Sequence, residues 1–304
     1  VIRVLVTGAG GQVGADLVRM LEGRAQVVAH DRASLDLARP DAIVERMREA
    51  RPQLVVNAGA YTAVDRAESE PELARAVNAR APGVLAEEAR RLGALLVHYS
   101  TDYVFDGSKP APYVEDDPAA PLNVYGASKL EGERAVAASG CDHVILRTSW
   151  VYAPRGRNFL LTMLNLAATR EEIRVVDDQR GAPTSSRELA RATLALFGAV
   201  APRHPITGED LARVASRSGL YHATAGGETT WFGFAEAIFR EWSLRRGAAF
   251  RAPRLVPIAT REYPTPARRP ANSLLSNERL HRTFGIRLAP WGEGLAEAIS
   301  MLAG

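Results

Sequence analysis

The chain of 304 residues holds a single cysteine, Cys141, and lysine at only two positions, Lys109 and Lys129. One cysteine excludes an internal disulfide, suits a reducing compartment, and reads most simply as a small, semi-buried hydrophobe. No run of about 18 uninterrupted apolar residues is present, which argues against a membrane-spanning helix. Glycine and proline, at 25 and 18 residues, are too sparse for a fibrous or disordered chain. The net charge of +3 is small, and the basic residues are dispersed rather than gathered into a stripe. Nucleic-acid binding is therefore not expected. Residues 1–6 form a run that is apolar but for Arg3, with no basic region and cleavage site ahead of it, so a mature cytoplasmic protein is expected.

The scarcity of lysine bears on chemistry. Every other member of the Lys/Arg set is arginine. A lysine that remains in such a chain either survives by chance on the surface or does something a guanidinium cannot.

What is present is a chain 46% hydrophobic, long enough for one substantial core or two modest ones. Short β-branched runs at 1–7, 26–31, 53–58, 94–100 and 143–148 read as buried strands. Between them, 14–22, 40–50, 72–92 and 124–138 read as helices. Strict alternation of strand and helix predicts an α/β fold with a doubly wound parallel sheet covered on both faces. After about residue 150 the pattern loosens. Helices are expected at 158–168, 187–197, 231–242 and 277–284, a strand at 173–176, and loop at 198–208 around Pro202 and Pro205. A Pro- and Arg-rich strip runs from 251 to 270. Elements around 173–197 are expected to return to the first half.

The first strand runs into Thr7-Gly8-Ala9-Gly10-Gly11-Gln12-Val13-Gly14 and then a helix, with Gly8, Gly11 and Gly14 three residues apart. Glycine allows the tight turn and a close approach to a pyrophosphate, and the last one lets helix pack on strand. The helix N-terminus presents free N–H groups to phosphate. A strand before the loop and a helix after it make this a dinucleotide site. No Gly-Lys-Ser/Thr follows, which excludes a Walker-type loop. Asp31, ending the second strand, suits the ribose hydroxyls of NAD, whereas Arg32 suits the 2′-phosphate of NADP, so NADPH and NADH both remain open. Asp36 and Leu37 are placed to touch the adenine, with helix capping as the other reading of Asp36.

A carbonyl reductase needs a hydride donor and a proton donor aimed at the carbonyl oxygen. Tyr125 and Lys129 lie four apart in an expected helix, hence on one face. A tyrosine of ordinary pKa, about 10, can give a proton, and a nearby ammonium is expected to bring that pKa toward the working range. Lysine suits this place as a compact charge that also reaches a cofactor ribose, which an arginine fork does poorly. Thr101 or Ser100, closing the strand at 94–100, can offer a hydroxyl to the substrate carbonyl, or simply form a polar strand-end turn.

With the glycine loop and Tyr125-Gly-Ala-Ser-Lys129, the chain resembles the extended short-chain dehydrogenase/reductases. Segments 57–65, 100–107, 121–126, 147–152 and 268–273, continuing to Leu280 and Phe284, resemble the dTDP-4-dehydrorhamnose reductase family over nearly the whole chain. Residues 203–219 are the least recognisable stretch. The resemblance implies a Rossmann-like dinucleotide-binding portion at 1–150 and a mainly substrate-binding portion at 151–304. It also implies reduction of the C4 ketone of dTDP-4-dehydro-6-deoxy-L-mannose to dTDP-L-rhamnose. Tyr125 would give the proton, Lys129 would orient ribose and tyrosine, and Thr101 would bond the substrate oxygen. Asp102 and Trp150 match substrate-contacting positions. Gly11, Gln12 and Val13 match the pyrophosphate loop. Ala58, Gly59, Ala60 and Tyr61 match the nicotinamide side, and Tyr99 falls among the cofactor positions. Gly59 stands where alanine is usual.

Some members form a magnesium-bridged homodimer. Asp16 and Glu188 lie near the relevant positions, but they read better as ordinary solvated carboxylates, and no metal is assigned. Two alternatives accompany the main reading: reduction of another 4-keto nucleotide sugar, and a regulatory role like that of the NADP-binding subunit of methionine adenosyltransferase.

Overall fold

The computed structural model describes residues 1–199 and 204–303; Pro202 and the start of the 203–219 stretch lie outside the described residues. Five strands form where the β-branched runs fall: β1 (Arg3–Thr7), β2 (Gln26–His30), β3 (Leu54–Asn57), β4 (Leu95–Thr101) and β5 (His143–Thr148). Together with the strand Gly219–His222 they make a six-stranded sheet, ordered Gly219–His222, β5, β4, β3, β1, β2, with every pair parallel.

The sheet is buried on both sides, as its near-continuous apolar strands require. Val4, Val6, Val56 and Val97 face one core with Leu17 and Leu21 of helix α1 (Gln12–Leu21). Leu5, Val55 and Leu96 face the other, under α2 (Pro40–Ala50) and the helix Ala81–Leu92. The chain reverses between β1 and β3, and the carboxyl ends of those strands form the switch point where doubly wound sheets place ligands.

Several elements differ from the sequence reading. The single helix expected at 72–92 is three pieces: Pro71–Arg75, a π-helical turn Ala76–Arg80, and Ala81–Leu92. Pro82 cannot donate to the Asn78 carbonyl one turn back, so the wider turn absorbs the missing bond. Of the elements around 173–197, the helix Ser186–Leu196 packs on α1, whereas the strand Glu172–Val176 pairs with Arg254–Ile258 outside the main sheet. The sheet strand Gly219–His222 and the helices Gly208–Ala215 and Trp291–Ala303 were not anticipated. The first of these helices did carry a signal, a capping box between Thr207 and Asp210. A third core gathers Tyr152, Leu160, Met163, Phe234 and Leu295. Among the described residues no helix is long and apolar enough to cross a membrane.

Candidate active site

The glycines of the loop are required by contact as well as by conformation. Gly8 has φ +67°, and a Cβ there would come within 2.6 Å of the Gly59 backbone. β1 and β3 thus meet at two side-chain-free positions. A Cβ on Gly14 would overlap the Gly8 carbonyl, and the Gly11 N–H closes the turn onto that same oxygen at 2.8 Å. Gly11 caps α1 without any side-chain bond, leaving the first N–H groups of the helix for a ligand. These features fit a dinucleotide pyrophosphate.

Gln12 ties the loop to the second half. Its Oε1 accepts from Asn158 Nδ2 at 2.8 Å, and its carbonyl accepts from Arg155 at 3.0 Å. Val13 packs on the core. Asp31 is exposed and turned toward its own loop, where Oδ1 accepts from the backbone of Ala33 and from Ser34. The Ser34 bonds hold its carboxyl below the ordinary range. Arg32 is exposed beside it. Asp36 does not cap α2, where Arg39 stands; it accepts from the Ala38 N–H and closes a local turn. Leu37 is buried, and its Cδ1 occupies the space a Cβ on Gly59 would need. Ala58, Gly59, Ala60 and Tyr61 follow β3 and are all half-buried.

Tyr61 is clamped by a residue the sequence reading did not select. Asn78, on the π-helical turn, accepts from the Tyr61 N–H at 2.8 Å and donates to its carbonyl at 3.0 Å. The same amide donates to Ser128, between Tyr125 and Lys129, at 3.1 Å. The only trace this leaves in sequence is Pro82, four residues after Asn78 in the expected helix.

Tyr125 and Lys129 share the helix Val124–Ala138, capped by Asn123 accepting from Gly126 at 2.8 Å. The lysine oddity resolves by placement: Lys109 is a surface partner of Asp117, whereas Lys129 is buried. The Lys129 ammonium donates to the Tyr99 carbonyl at 2.6 Å and lies 3.3 Å from His98 Nε2. Tyr99 therefore offers this site its carbonyl. Its ring turns into the core, with the hydroxyl 2.5 Å from Thr193 Oγ1. Burial draws the Lys129 ammonium down to about 8.

The Tyr125 phenol is pushed up to about 12, first by burial, with the Thr101 hydroxyl opposing the rise and Asp102 adding to it. The expected lowering by Lys129 is absent, because desolvation dominates and the ammonium is turned to Tyr99 and His98. Thr101 ends β4, and its hydroxyl donates to Asp102 Oδ1 at 3.0 Å. Asp102 Oδ2 is buried without a partner. Burial raises that carboxyl to about 7, with Ser273 and Thr101 opposing the rise. Ser273 belongs to the late segment 268–273, which is how that distant motif reaches the site.

Trp150 adopts φ +49°, unusual for a bulky residue. It lies between Gly181, whose Cβ would enter the ring, and Trp231, stacked with centroids 3.6 Å apart. Trp231 also lines a cavity of about 630 Å³, with Phe159, Met163, Gln179, Tyr263 and Arg268.

Asp16 and Glu188 are not solvated. Where α1 packs on the helix Ser186–Leu196, Asp16 is buried and held by Arg155 at 2.7 Å, Arg19 at 2.9 Å and Ser186 at 2.5 Å. Glu188 pairs with Arg191 at 2.5 Å.

A phosphate cradle at a parallel-sheet switch point, with a tyrosine and a buried lysine one helical turn apart, has the form of the short-chain dehydrogenase/reductase class. The family model described as "RmlD substrate binding domain" matches residues 2–303, and the chain belongs to that family. It is 53% identical over 95% of both chains to a dTDP-4-dehydrorhamnose reductase of Burkholderia thailandensis. Among solved structures, a dTDP-4-dehydrorhamnose reductase of Clostridium acetobutylicum shares 38% identity, with full coverage of both chains and a TM-score of 0.88. One from Bacillus anthracis, in complex with NADP, shares 34% identity over 99% of each chain, with a TM-score of 0.87.

Proposed function

We propose that this protein reduces the C4 ketone of dTDP-4-dehydro-6-deoxy-L-mannose to dTDP-L-rhamnose, using NADPH or NADH. The observation that carries this reading is 53% identity to a dTDP-4-dehydrorhamnose reductase, in a chain that keeps Thr101, Tyr125 and Lys129 together. When bound, the reduced nicotinamide supplies hydride to the carbonyl carbon. Tyr125, kept protonated by burial, donates its proton to the carbonyl oxygen, and Thr101 bonds the same oxygen. Lys129 keeps one N–H beyond Tyr99 and His98 for the nicotinamide ribose and orients ribose and tyrosine. Gly8, Gly11, Gln12, Val13 and Gly14 hold the pyrophosphate, while Asp31, Arg32, Asp36 and Leu37 lie on the adenosine side. Asp102 and Trp150 contact the sugar.

Residues 1–150, with the helix Ser186–Leu196 folded back on them, form the cofactor half; 151–304 mainly form the substrate half. A cytoplasmic setting suits Cys141, which is free and buried.

The test follows oxidation of NADPH and NADH with several 4-keto nucleotide sugars, in wild type and Tyr125→Phe. The expected result is turnover of the dTDP-linked 4-keto sugar and a loss of about 10²–10⁴-fold in Tyr125→Phe. A Tyr125→Phe variant as fast as wild type overturns the proton assignment. Tight cofactor binding without turnover of any sugar overturns the enzyme reading in favour of a regulatory one.

A further inference from the structure

A row of polar side chains crosses the sheet where apolar ones would be expected. Thr7, Asn57 and His98 are direct register partners on β1, β3 and β4. All three are buried on the face that also carries Leu5, Val55 and Leu96. Thr7 Oγ1 lies 2.6 Å from Asn57 Oδ1, and Asn57 Nδ2 lies 2.9 Å from His98 Nδ1. His98 Nε2 then lies 3.3 Å from Lys129 Nζ. A buried polar chain of this kind persists only if its donors and acceptors match.

We propose that His98 is a positioning residue for Lys129, accepting from its ammonium through Nε2, with Asn57 and Thr7 setting which ring nitrogen carries the proton. This rests on the reading of Lys129 as part of the reductase site. Burial, together with the nearby positive charge of Lys129 and His143, holds His98 well below the ordinary histidine range. The ring is therefore neutral, with one donor and one acceptor nitrogen.

Two arrangements satisfy the chain from Asn57 to Lys129. In the first, the Asn57 amide donates to Nδ1, the ring proton sits on Nε2, and Nε2–H donates to a neutral lysine amine. In the second, Asn57 is turned over so that its carbonyl accepts from Nδ1–H and its amide donates to Thr7. That frees the Nε2 lone pair for the lysine ammonium. The two ends of an amide fill the same envelope, so the exchange needs no repacking. The proton state of Lys129 is thus matched by the His98 tautomer and the Asn57 rotamer.

The bond to the ammonium is charge-assisted and the bond to the amine is not, so losing His98 disfavours the charged form. Other ionisable groups act on Lys129 from its surroundings. Tyr125 and Glu133 lie on its own helix, and Glu133 favours the ammonium. Arg147 of β5 engages both Glu133 oxygens, at 2.8 and 2.6 Å. None of these is altered by substitution at His98.

The two-lysine composition makes the test direct. Protein without cofactor, labelled at lysine Cε, gives two NMR titrations, and Lys109→Arg removes one to assign the other. Wild-type Lys129 is expected to titrate near 8. His98→Asn keeps a polar end near Nδ1 but stops short of Lys129, and is expected to lower the midpoint by about one pH unit. His98→Gln places a carbonyl near the Nε2 position and is expected to stay within about 0.3 unit of wild type. An unmoved midpoint in His98→Asn, or equal shifts in both variants, overturns the proposal. The alkaline limb of kcat/KM separates it from the reductase reading. A shifted midpoint with an unmoved limb sustains the His98 role and removes the Lys129 proton from the rate.

Discussion

The Lys129 ammonium is fixed to the backbone of β4, 2.6 Å from the carbonyl oxygen of Tyr99. That contact holds a charge in a buried place without a paired carboxylate on it, and burial lowers its pKa from 10.5 to about 8. Below about 8 the ammonium is present to make a charge-assisted bond to a ribose. Above it, the neutral amine still has an N–H to offer but loses the charge that strengthens that bond. The expected kcat/KM profile declines by about tenfold per pH unit beyond about pH 8. A profile flat to about pH 9.5 would show that the rate does not depend on this proton.

Glycines of the loop differ sharply in what they tolerate. Gly8→Ala combines a left-handed φ of +67° with a clash against the Gly59 backbone. It should destabilise the fold by about 2–4 kcal/mol and abolish measurable cofactor binding. Gly10→Ala is the control. Its Cβ would meet Asp31 Cβ at 3.5 Å, ordinary contact, so the melting point and NADPH affinity should stay close to wild type. Thermal melts and fluorescence titration with NADPH distinguish the pair, and equal effects would refute the contact argument.

Much of this arrangement was legible in sequence because its signals are local. β1 to β5 announce themselves by β-branched runs, the cradle by glycine spacing, and Tyr125 with Lys129 by a four-residue interval. His98 was not visible, since its meaning comes from standing beside Asn57 in register and opposite a helix residue 31 positions on. Asn78 was hidden by an expected continuous helix that Pro82 breaks. Gly219–His222 has only four residues, enough to close a sheet edge against β5 but too few to show a pattern.

Asp102 carries a stability cost that pH exposes. Its carboxyl titrates at about 7 in the fold against a reference of 3.8, so the folded state binds this proton more tightly. Stability is therefore undiminished below the reference value, falls as pH rises through about 7, and stays lower above it. Asp102→Asn keeps an oxygen for the Thr101 hydroxyl and removes the buried charge. At about pH 8 the variant should be more stable than wild type by about 2–4 kcal/mol, and the gap should close near pH 4. Denaturant melts at both pH values test this, and a gap independent of pH would refute it. Turnover of the sugar nucleotide should fall in the same variant.

Trp150 is held in a backbone conformation that a bulky residue adopts at a cost of about 1–3 kcal/mol. The opposing forces are visible: Trp231 stacks on one face at 3.6 Å, and side-chain-free Gly181 accepts the other. Trp231 is itself fixed by its indole N–H donating to Gln179 at 3.2 Å and by contact with Phe159. Trp231→Ala removes the stack, worth about 0.5–1.5 kcal/mol beyond buried area, and frees Trp150 to relax. The sugar-nucleotide kcat/KM should fall about tenfold or more, while NADPH affinity is unchanged because no cradle residue is touched. Trp231→Phe, keeping an aromatic face, should recover part of the loss. Near-ultraviolet circular dichroism reads the stacked indole pair directly, and its signal should disappear in both variants. If Trp231→Ala weakens NADPH binding as much as it weakens turnover, the stack supports the fold generally and has no separate role in presenting Trp150 to the sugar.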